Sequence, residues 1–323
     1  MTMTDIKLVI SSSPHIRNDE SIPKIMFVVL AALLPAAFLS IYLFGIKAIL
    51  LMATCIIVCM ATEYVFQKCR DKEITLSDGS AALAGLLLAM TLPPSFPLLG
   101  AALGSVVAIG LGKHIFGGLG FNIFNPALIG RAFLQAAFPV MITTWDDPFA
   151  WRSPAVVDAV SSATPLAKMK FDQEFVPAQD LIIGFTGGSL GETSALALLI
   201  GVVFLLYRGY IQWRIPASIL ISSLLFGGIF WLMDSTQYPE PFFHWFAGGM
   251  VLGAFYMATD MVTCPITPKG YWIFGCGIGI LTVIIRLFGG LPEGVMYAIL
   301  FMNAFTPIIN KYTRPKILGE VKK

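Results

Sequence analysis

Three stretches of this 323-residue chain carry groups whose types and spacing can do chemistry. Asp158-Ala-Val-Ser161-Ser162-Ala163-Thr164 surrounds a threonine hydroxyl with small side chains, which leaves room for another enzyme to modify it. An ordinary Ser/Thr turn has the same composition. Gly187-Gly188-Ser189-Leu-Gly-Glu192-Thr-Ser frees backbone amides at its glycines, and Ser189 and Glu192 have the spacing of a capping box. A helix starting there can cradle a phosphate, or simply be a well-capped helix. Arg131 lies inside an apolar run, beyond Asn125-Pro126. A charge at that depth is costly and turns to the protein interior. Asn122, Asn125 and Gln135 flank it, and the four can form one polar network that serves a ligand, a neighbouring subunit or the bundle itself.

Other polar residues are more isolated. Glu63, Asp78 and Asp260 fall near ends of apolar runs. Glu63 and Asp260 are candidates for an ion path, although solvated helix-end carboxylates occupy such places too, and Asp78 suits an N-cap. His114 and His244 have no clustering partner and read as interface residues. The five cysteines form no CxxC or Cys/His cluster, so no structural zinc, four-Cys iron–sulfur or other metal site is expected. No Gly-rich strand–helix fingerprint for NAD appears, and no catalytic residue is assigned.

The elements that must hold these residues are membrane spans. The chain is 57% hydrophobic and 12% charged, with mean hydropathy +0.80. A soluble domain has about 45–50% apolar and about 25% charged residues, so a soluble globule and a disordered chain are both excluded. A net charge of +2 without a basic stripe argues against nucleic acid. Ten apolar segments follow: 24–44, 46–67, 79–92, 98–113, 121–141, 193–207, 213–233, 242–260, 270–286 and 291–310. Residues 1–22 are polar, and no cleavable signal peptide is expected. With a cytoplasmic N-terminus, only Lys47, Arg152, Lys168, Lys170 and Arg286 of the 21 Lys and Arg fall outside, with Arg131 in a span. Both termini are therefore expected in the cytoplasm. The expected division is a tail 1–23, a five-helix unit 24–141, an extracytoplasmic loop 142–192, a second five-helix unit 193–310 and a tail 311–323. Five spans on each side of the loop imply two halves inserted in opposite senses. Ile115-Phe-Gly-Gly-Leu119 and Leu287-Phe-Gly-Gly-Leu291 echo one another at corresponding places, as do Gly85 with Thr91 and Gly253 with Thr259. Segments three and four are short and broken by Pro93, Pro94 and Pro97, and segment eight runs into Asp260, Pro265 and Pro268. Broken helices need shelter from lipid and often hold a ligand or ion near the midplane.

Asp158-x-x-Ser-x-Ala-Thr164 also resembles the acceptor motif of flavin transferases, which esterify FMN through its phosphate to the threonine hydroxyl. Ser162 stands where many such motifs have Gly. Nearly the whole chain resembles the RnfD family of Rnf electron-transport complexes and, more distantly, the related flavin-bearing membrane component of the sodium-pumping NADH:quinone reductase. The resemblance runs through Ser13-Pro-His-Ile-Arg17, Gly120-Phe-Asn-Ile-Phe-Asn-Pro126, the Thr164 motif and Gly187-Gly-Ser-Leu-Gly-Glu-Thr-Ser194. It continues through Thr259-Asp-Met-Val-Thr-Cys-Pro265, Gly289-Gly-Leu-Pro-Glu-Gly294 and Asn303-Ala-Phe-Thr-Pro307. It implies a flavoprotein with covalent, phosphoester-linked FMN on Thr164. Asp158, Ser161, Ser162 and Ala163 would then belong to the recognition sequence, and Gly187, Gly188, Ser189, Arg131 and Asn125 would be candidates for flavin contact. It also allows a second, noncovalent flavin such as riboflavin. The implied setting is the bacterial inner membrane, within a ferredoxin:NAD-type complex that moves Na+ or H+. Flavin, iron–sulfur and NAD-binding subunits would be its partners, and a flavin transferase would mature it. A channel or solute transporter of inverted-repeat fold without covalent flavin is the competing expectation, and a scaffold for redox partners a weaker one.

Overall fold

The computed structural model describes residues 20–152, 164–172, 181 and 187–315. Among them all regular structure is helical. The first apolar run forms α1 (Ile22–Phe44), with Pro23 in its opening turn, where a missing amide costs nothing. Gly45 alone joins it to α2 (Ile46–Cys69). Its φ of +63° and the Trp151 ring packed against it leave no room for a side chain. Next come the short α3 (Ser80–Met90) and α4 (Leu98–Ile109), the latter continued by a wider turn over Gly110–His114. α5 (Pro126–Ala137) completes the first half, capped by the Asn125 side chain, which accepts from Ala127 N at 3.0 Å. The second half holds α6 (Ala195–Arg208), α7 (Arg214–Met233), α8 (Pro268–Phe288) and α9 (Val295–Thr313).

α1, α2, α7 and α8 are long and apolar enough to cross a membrane; α3, α4 with its extension, and α6 are shorter apolar helices. Segments one, two, seven and nine appear within two residues of expectation. Segment five starts at Pro126 instead of 121, because Asn125 stops the chain and caps the helix. Segment eight is not a continuous helix. It breaks into Phe243–Phe246, Met250–Leu252 and a wide turn over Gly253–Met257, with Gly248 at φ +64° in the gap.

Packing joins the halves. α2 lies on α3 and α4, and α4 on α5; α7 lies on α8, and α8 on α9. α1 crosses α6 at Gly201, whose missing side chain lets the Ala32 carbonyl in. There the Tyr256 hydroxyl donates to the Leu198 carbonyl at 2.9 Å. A helix of 11 residues reaches only about 16 Å of a roughly 30 Å core, so α3 ends with free carbonyls inside the bundle. The stretch before α6 meets that need. Gly191 N donates to Met90 O at 2.7 Å and Leu190 N to Leu92 O at 3.1 Å. A Cβ on Gly191 would stand 2.8 Å from the Met90 carbonyl oxygen, so only glycine approaches this closely.

Candidate functional site

The Gly191 splice delivers Glu192 to the heart of the molecule. Glu192 lines a cleft together with Thr164, Arg131, Gln135, Trp145, Glu293 and Tyr297. The cleft encloses about 470 Å³. Thr164 is 6% exposed and caps the short turn Pro165–Ala167, its hydroxyl accepting from Ala167 N at 3.1 Å. Lys170, six residues on, clamps this loop to the α8–α9 turn through the carbonyls of Leu291 (2.9 Å) and Arg286 (3.1 Å).

Arg131 is 5% exposed and approaches Glu293 Oε2 at 3.9 Å, while its Nη1 has no hydrogen-bond partner. Glu293 Oε1 accepts from Gly249 N at 2.8 Å. Burial, and after it the Glu293 carboxylate, push the Glu192 carboxyl well above the ordinary carboxylate range; the Arg131 guanidinium acts the other way. A deeper pocket continues from the cleft past Thr91, Leu128 and Met257, again lined by Arg131, Glu192 and Glu293. Arg286 is fully buried beside it and donates to the carbonyls of His244 (2.8 Å) and Ala247 (2.7 Å), where segment eight breaks.

A second cavity of about 820 Å³ is lined by Ser80, Lys113, Asn122, Asn125, Tyr210 and Asp260 among apolar neighbours from α1, α3 and α6. Asn125 Nδ2 donates to Met257 O at 3.2 Å and ties α5 to the broken segment. Asp260 folds back on its own turn, accepting from Val262 N (3.3 Å) and Thr263 Oγ1 (3.2 Å). Beside this cavity Lys113 Nζ donates to both Glu63 oxygens, at 2.6 and 2.8 Å, and to Ser80 Oγ at 2.7 Å. Gln67 donates to Glu63 at 3.2 Å. On its far side the pair meets a vestibule lined by Glu63, Gln67, Asp78 and His114.

Several expectations change. Arg131, Gln135, Asn122 and Asn125 do not form one network: one and a half turns of α5 separate Arg131 and Gln135 in the Thr164 cleft from the two asparagines in the Lys113 cavity. Ser189 and Glu192 do not form a capping box. α6 begins at Ala195 with Ser194 as its cap, accepting from Ala197 N at 3.3 Å, because Leu190 and Gly191 are committed to α3. Gly187, Gly188 and Ser189 do not line the Thr164 cleft. Glu63 is no solvated helix end but a buried partner of Lys113. His114 and His244 are interior, at 3% and 1% exposure; His114 stacks on Phe66. Asp78 keeps a capping role, accepting from Ser80 N at 2.8 Å. Asp158, Ser161, Ser162 and Ala163 lie outside the described residues. No group of three or more metal-ligating side chains occurs among those that are described. Sequence reading missed Lys113, Glu293 and buried Arg286. Each sits at a span end, where a basic or acidic residue is usually solvated.

The model of the NQR2, RnfD, RnfE family matches residues 9–319. The chain belongs to that family. It is 48% identical to the D-type component of the proton-translocating ferredoxin:NAD(+) oxidoreductase complex of Clostridium ljungdahlii, over 96% of each chain. It is 44% identical to the D-type component of the Na(+)-translocating ferredoxin:NAD(+) oxidoreductase complex of Acetobacterium woodii, over 99% of this chain and 98% of that one. Identity to the D-type component of the ion-translocating oxidoreductase complex of Actinobacillus succinogenes is 35%, over 96% of this chain and 97% of the relative. The family match thus spans Arg131, Thr164 and Glu192, and two similar relatives carry different ions in their names.

Proposed function

We propose that this chain is the flavin-bearing membrane subunit of an ion-translocating oxidoreductase complex, with FMN esterified through its phosphate to Thr164. The observation that supports this most is the Thr164 cleft. It sets a threonine hydroxyl, a buried guanidinium with an unpartnered Nη1 and two aromatic walls, Trp145 and Tyr297, around one space. That donor set suits a phosphorylated aromatic group: Thr164 would hold the phosphate, Arg131 would neutralise it, and Lys170 would keep the loop closed over it. FMN, when bound, supplies one- and two-electron redox chemistry; the chain's residues hold it, orient it and limit water. By the names of its relatives, ferredoxin and NAD+ stand at the two ends of the reaction, coupled to movement of Na+ or H+. The iron–sulfur and NAD sites then belong to other subunits, and a flavin transferase attaches FMN at the Asp158–Thr164 motif.

The architecture we propose is two inverted five-helix repeats, 24–141 and 193–310, about the loop 142–192. Matching contacts support it. Each half packs its second helix on its fourth and its fourth on its fifth, and the two first helices, α1 and α6, cross each other. In each half a buried cation near the end of the fourth helix, Lys113 or Arg286, bonds to the start of a broken third helix. With both termini in the cytoplasm of a bacterial inner membrane, the Thr164 cleft opens outward. The Lys113 cavity then faces inward, where a noncovalent flavin such as riboflavin has space and where Asp260 and Glu63 would border an ion path.

The test is a denaturing gel of protein made together with its transferase. Flavin fluorescence at the band, lost in Thr164→Val, is expected. A dark wild-type band sinks the reading, and a fluorescent Thr164→Val band moves the site elsewhere.

A further inference from the structure

We propose that Glu192 and Glu293 form a carboxyl pair that shares one proton and takes it up in response to negative charge at Thr164. The source of that charge rests on the flavin reading above; the pair itself does not.

The two carboxylates arrive from different parts of the chain. Glu192 is delivered by the Leu190–Gly191 splice, and Glu293 by the turn between α8 and α9. Both line the Thr164 cleft and the pocket beneath it. They converge on Gly249, where a built Cβ would stand 2.8 Å from Glu293 Oε1 and 3.5 Å from Glu192 Oε1. Glu293 has partners in Gly249 N–H and Arg131. Among the described residues no cation lies within ion-pair distance of Glu192. Two carboxylates that share a site do not both ionise freely.

The surrounding charges set the response. Arg131 faces the pair from α5, Arg286 from α8 and the Tyr297 phenol from α9. Lys170 holds Leu291, two residues before Glu293. The His244 ring lies behind Arg286, whose Nη1 its carbonyl accepts. Two guanidiniums against two carboxylates leave the fully ionised cluster neutral. Arg131, with its unpartnered Nη1, is the group that the pair and Thr164 have in common. An anion at Thr164 draws on that guanidinium and leaves the carboxylates in excess. A proton from water then converts one carboxylate to carboxylic acid. No other bond forms or breaks, and the carboxyls exchange no electron.

Infrared spectroscopy of the purified protein, prepared with and without the transferase, tests this. The carboxylic-acid C=O stretch and its shift in D2O are followed against pH. Flavin-free wild type is expected to keep one protonated carboxyl at neutral pH. Glu192→Gln should remove it, and Glu293→Gln should move its titration down toward the ordinary carboxylate range. Flavin attachment should move the wild-type midpoint up by about one pH unit. Absence of the acid band from wild type at neutral pH overturns the shared proton, and needs no variant to be decisive. A band that survives unchanged in both Gln variants also overturns it. Equal midpoints with and without flavin overturn the coupling. If gel fluorescence shows that no flavin attaches, the Thr164 reading and the coupling both fall, and the band still decides the shared proton.

Discussion

Two buried carboxylates in this molecule meet opposite fates. Glu63 is held by a dedicated ammonium: Lys113 reaches both of its oxygens, and Ser80 and Gln67 complete the set. Glu192 shares a cleft with a second carboxylate and a guanidinium that is itself incompletely bonded. The Glu63 cluster therefore acts as a lock, fixing α2, α3 and α4 to one another. The Glu192 cluster lacks such closure, and unsatisfied buried groups are where a ligand or a proton has something to gain.

Breaking the lock should have the largest effect. Lys113→Met leaves a buried carboxylate without its cation and is expected to cost about 3–5 kcal/mol, read from unfolding in a denaturing-detergent titration. Adding Glu63→Gln to it should restore most of that loss; no restoration would show that Lys113 acts by packing alone. At the open cluster, Arg131→Gln should cost less, about 1–3 kcal/mol, and should lower the flavin content of the gel band. Stability falling with flavin content unchanged would remove Arg131 from the phosphate site.

The pH dependence sharpens the contrast. The Glu192 carboxyl is raised in the fold, so the folded state holds a proton that the unfolded chain releases near pH 4.3. Its contribution is greatest below that value and declines as pH climbs toward the folded value. Glu192→Gln should flatten this slope, and a slope that persists in the variant assigns it to another group. The smallest expected change is Asn125→Ala, about 1 kcal/mol for a lost cap, together with its link to Met257. It should leave Thr164 flavinylation untouched, since Asn125 belongs to the other cavity.

Much of the scaffold was legible because hydropathy and punctuation agreed. Pro23, Gly45 and Pro268 mark helix ends that the apolar runs also mark. Segment eight was not legible, since its apolar content persists through the Gly248–Gly249 break. Thr164 could be singled out from its small neighbours and its motif. Glu192 was hidden by a local pattern: Ser189 and Glu192 fit a capping box, and only the long-range pairing of Leu190 and Gly191 with α3 shows that the helix starts later. Arg286 was counted as a loop charge because it closes an apolar run; its partners are carbonyls 39 and 42 residues away, which spacing does not reveal.

The two backbone bonds from Leu190 and Gly191 to α3 also have a mechanical meaning. They stitch the start of the second half to the end of a first-half helix, at a depth where water cannot replace a broken bond. The Tyr256 hydroxyl adds a rivet where α1 and α6 cross. A swing of one half against the other would have to shear all three. The molecule is built as a strut, and whatever moves through it must do so by local rearrangement of side chains rather than by rocking of its halves.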